Sequence, residues 1–516
     1  MAKKERSGMV FRFLNTVERV GNRLPHPITL FFIFCLLIVV ISAICEAAGV
    51  SATGDLYNSA TQSVERTTVY AVSLMNTEGI VYMLTSAVSN FTGFAPLGVV
   101  LVAMLGVGVA EGSGYVSALL KRAVQITPRK IMTPVVIFLG IMSNVASDAG
   151  YVVLVPIGAL MFMACGRHPM AGLAASFAGV SGGFSANLVI GTLDPMLAGI
   201  STEAAQMIDP TRTVAPTANW FFMIASTFLI TFLGTLVTDF IVEPRLGSSS
   251  GKAKNEYFAN DLTTTERRAL KKANISLLSF IALIVLLLLP KNSFLRNPEN
   301  GSLIAGSPFM DGIIPLIMLL FFIPAVVYGL SSGDFEGERD VCAAMGKAMS
   351  AMGSFIALAF ISAQFISYFS YTKLGTIIAI NGASLLENSG LGSIPLILLF
   401  ILFSAVINLL MGSASAKWTI LAPVFIPMFM LLGFSPELTQ VAFRIGDSCT
   451  NIITPLMSHF AMILTFTRRY DENSGIGTLI STMLPYSIVF LIGWSLLLML
   501  WMLLGFPLGP GAGLTI

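Results

Sequence analysis

Two long apolar stretches of this chain are each broken in the middle by small and polar residues, and the two breaks are built alike. The second occupies Asn408 to Pro455: Gly412, Ser413, Ala414, Ser415, Ala416, Lys417 and Trp418 interrupt one apolar run, and Arg444, Gly446, Asp447, Ser448, Thr450, Asn451 and Thr454 interrupt the next. The first occupies Ile141 to Pro195, with Ser143, Asn144, Ser147 and Asp148 at one break and Ser181 to Asn187 at the other. In lipid an unpaired backbone group is costly, so a broken helix survives only where protein buries it or where it lines a cavity. The pattern therefore predicts a helical membrane protein that gathers its irregular backbone inside.

The two stretches align. Setting Pro156 on Pro423, 267 positions apart, also sets Met161-Phe162-Met163 on Met428-Phe429-Met430, Gly166 on Gly433, Pro169 on Pro436, Gly179 on Gly446 and Ser181 on Ser448. Upstream, Glu111, Ser113, Gly114 and Ser117 fall on Glu387, Ser389, Gly390 and Ser393 at an offset of 276. Glycine-interrupted polar segments at matching places in two halves point to the substrate site of a secondary transporter.

Composition agrees. Of 516 residues 55% are hydrophobic and only 11% charged, against about a quarter charged in a soluble domain. The net charge of +2 gives no reason to expect a nucleic-acid partner. Five cysteines without a Cys-x-x-Cys pair and three distant histidines indicate neither a disulfide framework nor a zinc site. Six basic residues between Lys3 and Arg23 precede the apolar run Ile28 to Cys45, which reads as an uncleaved first helix.

A spanning helix needs roughly 20 mostly apolar residues. Spans are expected near 28–48, 95–120, 170–190, 218–243, 273–290, 312–330, 354–374, 438–457 and 479–505, with re-entrant helical hairpins near 131–165 and 394–432. Basic residues collect at the amino terminus, at Lys121 to Lys130, at Arg167, between Arg245 and Lys272, at Arg339 and Lys347, and at Arg468 and Arg469. By the positive-inside rule these loops are cytoplasmic, which places the amino terminus inside and opens the two hairpins from opposite sides. The expected fold class is an all-α polytopic membrane protein with about nine transmembrane helices plus two opposed re-entrant hairpins in an inverted repeat. Its halves are 1–243 and 273–516, joined by a charged cytoplasmic linker, 244–272. Residues 332–350 suit an interfacial amphipathic helix or a solvated one.

Ser143, Asn144, Ser147 and Asp148, and Ser413 with Ser415, form candidate hairpin tips. Their hydroxyls, open carbonyls and helix N-termini suit a small cation and an anionic substrate group, or serve only helix packing. Asp194 and Asp447 are acids at or near membrane depth, candidates for ion or proton coupling. Asp447 lies three residues after Arg444, a spacing that puts both on one helix face, where they could pair. Trp418 either stacks on an aromatic ligand or anchors at an interface. Lys417 either snorkels or neutralises a substrate carboxylate. Gly412-Ser413-Ala414-Ser415 faintly suggests an intramembrane serine hydrolase with His459 as base, but a nucleophile needs a base within hydrogen-bond reach and the duplication gains no explanation.

The motifs GNRLPHP (21–27), NFTGFAPLG (90–98), GRHPMAGLAA (166–175), GGFSAN (182–187), ISTEAAQ (200–206), EPRLG (243–247), GSASAKW (412–418), PMFMLLGFSPE (427–437) and FRIGDS (443–448) occur in this order. In them the chain resembles the p-aminobenzoyl-glutamate transporter family, AbgT, over nearly its whole length, with closest likeness to the MtrF-like antimetabolite efflux branch. The resemblance implies a homodimer of the bacterial cell inner membrane with a scaffold part and a transport part. It implies folate-precursor substrates: p-aminobenzoyl-glutamate taken up, or sulfonamides exported in antimetabolite resistance. The alternative is a transporter of another small carboxylate. Asp194, Ser415, Trp418, Pro436, Arg444, Asp447 and Pro455 match residues important in that family, and Asp148 stands where the MtrF-like branch carries a glutamate. The resemblance favours ligand stacking for Trp418. Expected substrate contacts are thus Asn187, Ser413, Ser415, Trp418, Pro436, Arg444, Asn451 and Pro455. Expected ion-coupling residues are Ser143, Asn144, Asp148, Asp194 and Asp447, with sodium, if it is the coupling ion rather than a proton, near Asn144, Ser147 and Ser415. No other cofactor is expected.

Overall fold

The computed structural model describes residues 25, 27–58, 63–125, 127–146, 150–247, 262–303, 307–457, 459–472 and 474–516. The basic amino terminus, the stretch 248–261 of the charged linker, and Ser147 and Asp148 of the first tip lie outside the described residues. In chain order the helices that build the architecture are α1 (Pro27–Ala47), α2 (Ala95–Gly112), α3 (Met132–Ser143), α4 (Val155–Ala164), α5 (Pro169–Phe177), α6 (Leu193–Ala205), α7 (Trp220–Leu246), α8 (Thr264–Leu288), α9 (Ile313–Ser332), α10 (Gly353–Tyr371), α11 (Ser393–Leu410), α12 (Ala414–Leu431), α13 (Pro436–Asn451) and α14 (Ile476–Leu504). An antiparallel ribbon of β1 (Ser51–Asn58) and β2 (Ser63–Tyr70) follows α1, with Ser51 opposite Tyr70. Its signal is the β-branched run Val64, Thr67, Thr68 and Val69.

Among the described residues nine helices are long and apolar enough to cross a bilayer: α1, α2, α7 to α12 and α14. The count matches the expectation, but the membership differs. Both arms of the second broken stretch, α11 and α12, qualify, while the expected spans near 170–190 and 438–457 are shorter helices. Following α5, a π turn at Ala178–Gly182 leads into non-helical backbone; α13 ends at Asn451, ahead of Pro455. Every residue of α13 is buried, so this helix meets protein on all sides and its polarity answers to internal partners rather than to lipid.

Helices α2, α8 and α9 pack around a separate apolar core that includes Val107, Tyr115, Ala273, Ala325 and Tyr328. A Cβ added to Gly106 would lie 2.2 Å from the Met318 carbonyl oxygen, so α2 and α9 touch backbone to backbone. Helix Glu338–Ala351, in the region expected to be amphipathic, lies along α2, with Ala348 against Gly108. The outer face of α8 exposes Ile275, Leu278, Ile281 and Leu286, an apolar surface of the kind that marks a membrane contact.

The duplicated residues adopt duplicated geometry. Gly166 and Gly433 both take positive φ, 75° and 85°. Arg167 N donates to Phe162 O at 2.8 Å, and Phe434 N to Phe429 O at 3.0 Å. These are Schellman endings, for which glycine supplies the left-handed residue. Added Cβ atoms at Gly179 and Gly446 would each stand 2.4 Å from a carbonyl, that of Ile137 on α3 and that of Ile401 on α11. Each broken segment thus crosses the first arm of its own half at a glycine.

Candidate functional site

The breaks converge on a cavity of about 290 Å³. Asn144 comes from the end of α3, Tyr151 from a π turn ahead of α4, Phe184 and Asn187 from the opened backbone after α5, and Asp194 from the first turn of α6. Ser413 and Ser415 come from the start of α12, Arg444 and Asn451 from α13, and His459 from the segment ahead of Phe460–Arg468. Met196, Met223, Met457 and Leu193 add apolar lining. Of the residues expected from sequence, seven therefore line one cavity: Asn144, Asn187, Asp194, Ser413, Ser415, Arg444 and Asn451.

Local chemistry explains each placement. Ser413 caps α12, its Oγ accepting from Ala416 N at 3.4 Å and lying 3.2 Å from Ser415 Oγ. Asn144 Nδ2 donates to Ile141 O at 3.1 Å, while its Oδ1 is buried with no hydrogen-bond partner among the described residues. Asp194 Oδ2 accepts from Gly191 N at 2.7 Å, a carboxylate at a helix N-terminus where the macrodipole favours it.

Arg444 does not pair with Asp447, although their spacing allowed it. Its Nη2 lies 2.7 Å from Asp194 Oδ1, and both side chains are under 5% exposed. Arg444 Nε and Nη1 have no hydrogen-bond partner among the described residues. A buried polar group left unpaired costs about 1–3 kcal/mol, more when charged, so this guanidinium, on a residue that lines the cavity, is under-satisfied.

Asp447 instead forms an ion pair with Lys417 of α12, and both are almost wholly buried. Lys417 also contacts Asn408 Oδ1, and Asn408 Nδ2 donates to the Asp447 carbonyl at 2.6 Å and to Asn451 Oδ1 at 2.9 Å. Lys417 thus neither snorkels to an interface nor lines the cavity. An i,i+3 relation makes pairing geometrically open, but each charge here finds a closer partner on another helix.

The remaining expected residues lie elsewhere. Trp418 is fully buried, stacked on Phe443 at 4.5 Å, and its Nε1 donates to Ser201 Oγ at 3.0 Å; it is not an interfacial anchor and does not line the cavity. Pro436 begins α13 after the Ser435 cap, Pro455 follows the end of α13, and Ser143 donates to Gly140 O at 2.6 Å. None of these three lines the cavity. Of the proposed sodium ligands, Asn144 and Ser415 share the cavity and Ser147 lies outside the described residues.

Sequence reading missed the aromatic lining. Tyr151 and His459 stack at 4.4 Å with planes 4° apart, and Phe184 is half-buried at the cavity wall. Proximity to the two breaks was the available signal: Tyr151 follows the first tip and Phe184 sits inside GGFSAN.

The model of the AbgT putative transporter family matches residues 12–516. The p-aminobenzoyl-glutamate transport protein of Escherichia coli (strain K12) is 40% identical over 495 residues, covering 96% of this chain and 95% of that protein. Neisseria gonorrhoeae MtrF, described with a class of antimetabolite efflux pumps, is 48% identical with a TM-score of 0.91, covering 97% of this chain and 100% of that one. The Alcanivorax borkumensis YdaH transporter, of unusual topology, is also 48% identical, with a TM-score of 0.88 over 94% of this chain and 100% of its own.

Proposed function

The chain belongs to the AbgT transporter family, and from that premise we propose an ion-coupled secondary transporter of aromatic carboxylates of the p-aminobenzoyl-glutamate kind, with related sulfonamides as further substrates. It is a multi-pass membrane transporter and not an enzyme. The further proposal is that it works as a homodimer in a bacterial inner membrane, amino terminus inside, with the arms α3–α4 and α11–α12 entering from opposite sides.

One observation carries the substrate reading. Arg444 is buried at a cavity lined from both halves, holds one carboxylate, Asp194, and keeps two nitrogens without a hydrogen-bond partner among the described residues. Guanidinium binds carboxylates bidentately. A substrate carboxylate therefore competes with Asp194 for Arg444, and an Asp194 released from that pair takes a proton or, with Asn144 Oδ1 and Ser415 Oγ, a sodium ion. Substrate and ion then move together because each one's arrival frees the other's site.

The test is flux of labelled p-aminobenzoyl-glutamate and of a sulfonamide in proteoliposomes under imposed sodium or proton gradients, in both orientations. Concentrative, gradient-driven movement of either supports the reading. Movement of small non-aromatic carboxylates alone assigns the alternative substrate class, and equilibration without accumulation indicates a channel.

A further inference from the structure

We infer that Tyr151, His459 and Phe184 form the wall that recognises the substrate's aromatic ring, a role the sequence had suggested for Trp418. The inference deepens the reading above and rests on it.

Trp418 has no open access to a ligand here. Its ring stacks on Phe443, its Nε1 is held by Ser201, and it does not line the cavity. Ser201 in turn donates to Gln440 Oε1 at 2.6 Å, and Gln440 Nε2 to Asn219 Oδ1 at 2.8 Å. The tryptophan is thus one member of a buried network that ties α6 and α12 to α13.

The cavity has its own aromatic set, drawn from both halves of the chain. Tyr151 and His459 form a parallel stack, and Tyr151 also meets Phe177 edge-on at 6.4 Å. The stack is therefore fixed in place before any ligand arrives. Phe184, half-buried, brings a third ring to the same cavity. Met457, which accepts from the Tyr151 hydroxyl, Met196 and Met223 add thioethers to the lining; thioethers make favourable contacts at ring edges. Arg444 and Asp194 supply charge in the same cavity. A site with one cationic group and a preformed aromatic wall suits a ligand with a carboxylate joined to a ring. The volume, at the small end of the ~300–1,000 Å³ usual for such sites, holds one ring and a short side chain.

The test is calorimetric binding of p-aminobenzoyl-glutamate and of its ring-free analogue N-acetylglutamate to the purified full-length protein. Tyr151→Leu and Phe184→Leu are each expected to weaken the aromatic probe about tenfold and to leave the ring-free probe unchanged. Tyr151→Phe is expected to retain the parent's preference. Thermal melting identifies any variant that has lost its fold, and Phe184, half-buried, is the substitution the fold tolerates best. If both leucine variants keep the parent's preference for the ring, or lose the two probes equally, the wall is wrong while the substrate reading stands. A parent protein that binds neither probe overturns the substrate reading and this inference with it.

Discussion

Two buried ion pairs sit within one turn of each other on α13, and they differ in almost everything but charge. Lys417–Asp447 joins α12 to α13 inside the second half, lies away from the cavity, and is braced by Asn408. Arg444–Asp194 joins the two halves, lines the cavity, and leaves Arg444 Nε and Nη1 without a hydrogen-bond partner among the described residues. A buried pair set off from the cavity and braced by a third side chain can serve as a fastener between helices. A pair that is under-satisfied and meets a cavity has a better state available, which a ligand can supply. Asn408 links the two regions, since it contacts Lys417 and also donates to Asn451 at the cavity.

Breaking the fastener should have the largest effect. Removing one member of a buried pair leaves an uncompensated charge and costs about 3–5 kcal/mol, whereas replacing both with apolar groups of similar volume is often neutral. Lys417→Ala should therefore lower the melting temperature in detergent sharply, and Lys417→Met combined with Asp447→Leu should recover most of it. If the double variant melts no higher than the single one, the pair is more than a fastener.

At the cavity, removing Arg444 also leaves Asp194 without its partner, and a loss of binding is expected beside the stability change. Arg444→Gln removes a charge-assisted contact worth roughly 2 kcal/mol or more, about thirtyfold in Kd, and should weaken aromatic and ring-free carboxylates alike. Equal binding by parent and variant, measured by calorimetry, would remove Arg444 from the substrate site.

The smallest effect belongs to Trp418. Trp418→Phe keeps a ring against Phe443 but loses the bond to Ser201, a change of about 1 kcal/mol that should appear in melting and leave the ratio of aromatic to ring-free affinity unaltered. A selective fall in aromatic affinity would return the ring-binding role to Trp418.

How far the site could be read in advance follows from the range of each rule. Asn144, Ser413, Ser415, Asp194 and Arg444 were legible because polarity inside an apolar run needs a reason. Their partners were not. The i,i+3 rule sees only one helix, and Asp194 reaches Arg444 from 250 residues away. Tyr151, Phe184 and His459 carried little signal, since aromatic residues are ordinary in such a sequence and only tertiary folding brings them to one wall. The number of long helices was legible from hydropathy, but not which segments they are. The charge pattern cannot tell a hairpin from a pair of full spans, because either returns the chain to its starting side. The internal burial of α13, which makes its polarity tolerable, depends on neighbours on every side.

Substrate and coupling ion are proposed to meet at Arg444–Asp194. Asp194→Asn, reconstituted in proteoliposomes, tests it most directly by comparing substrate exchange at equal concentrations with uphill flux under imposed sodium and proton gradients. Exchange should persist while gradient-driven accumulation is lost. Accumulation at the parent's rate, with the parent's dependence on sodium and pH, would contradict it.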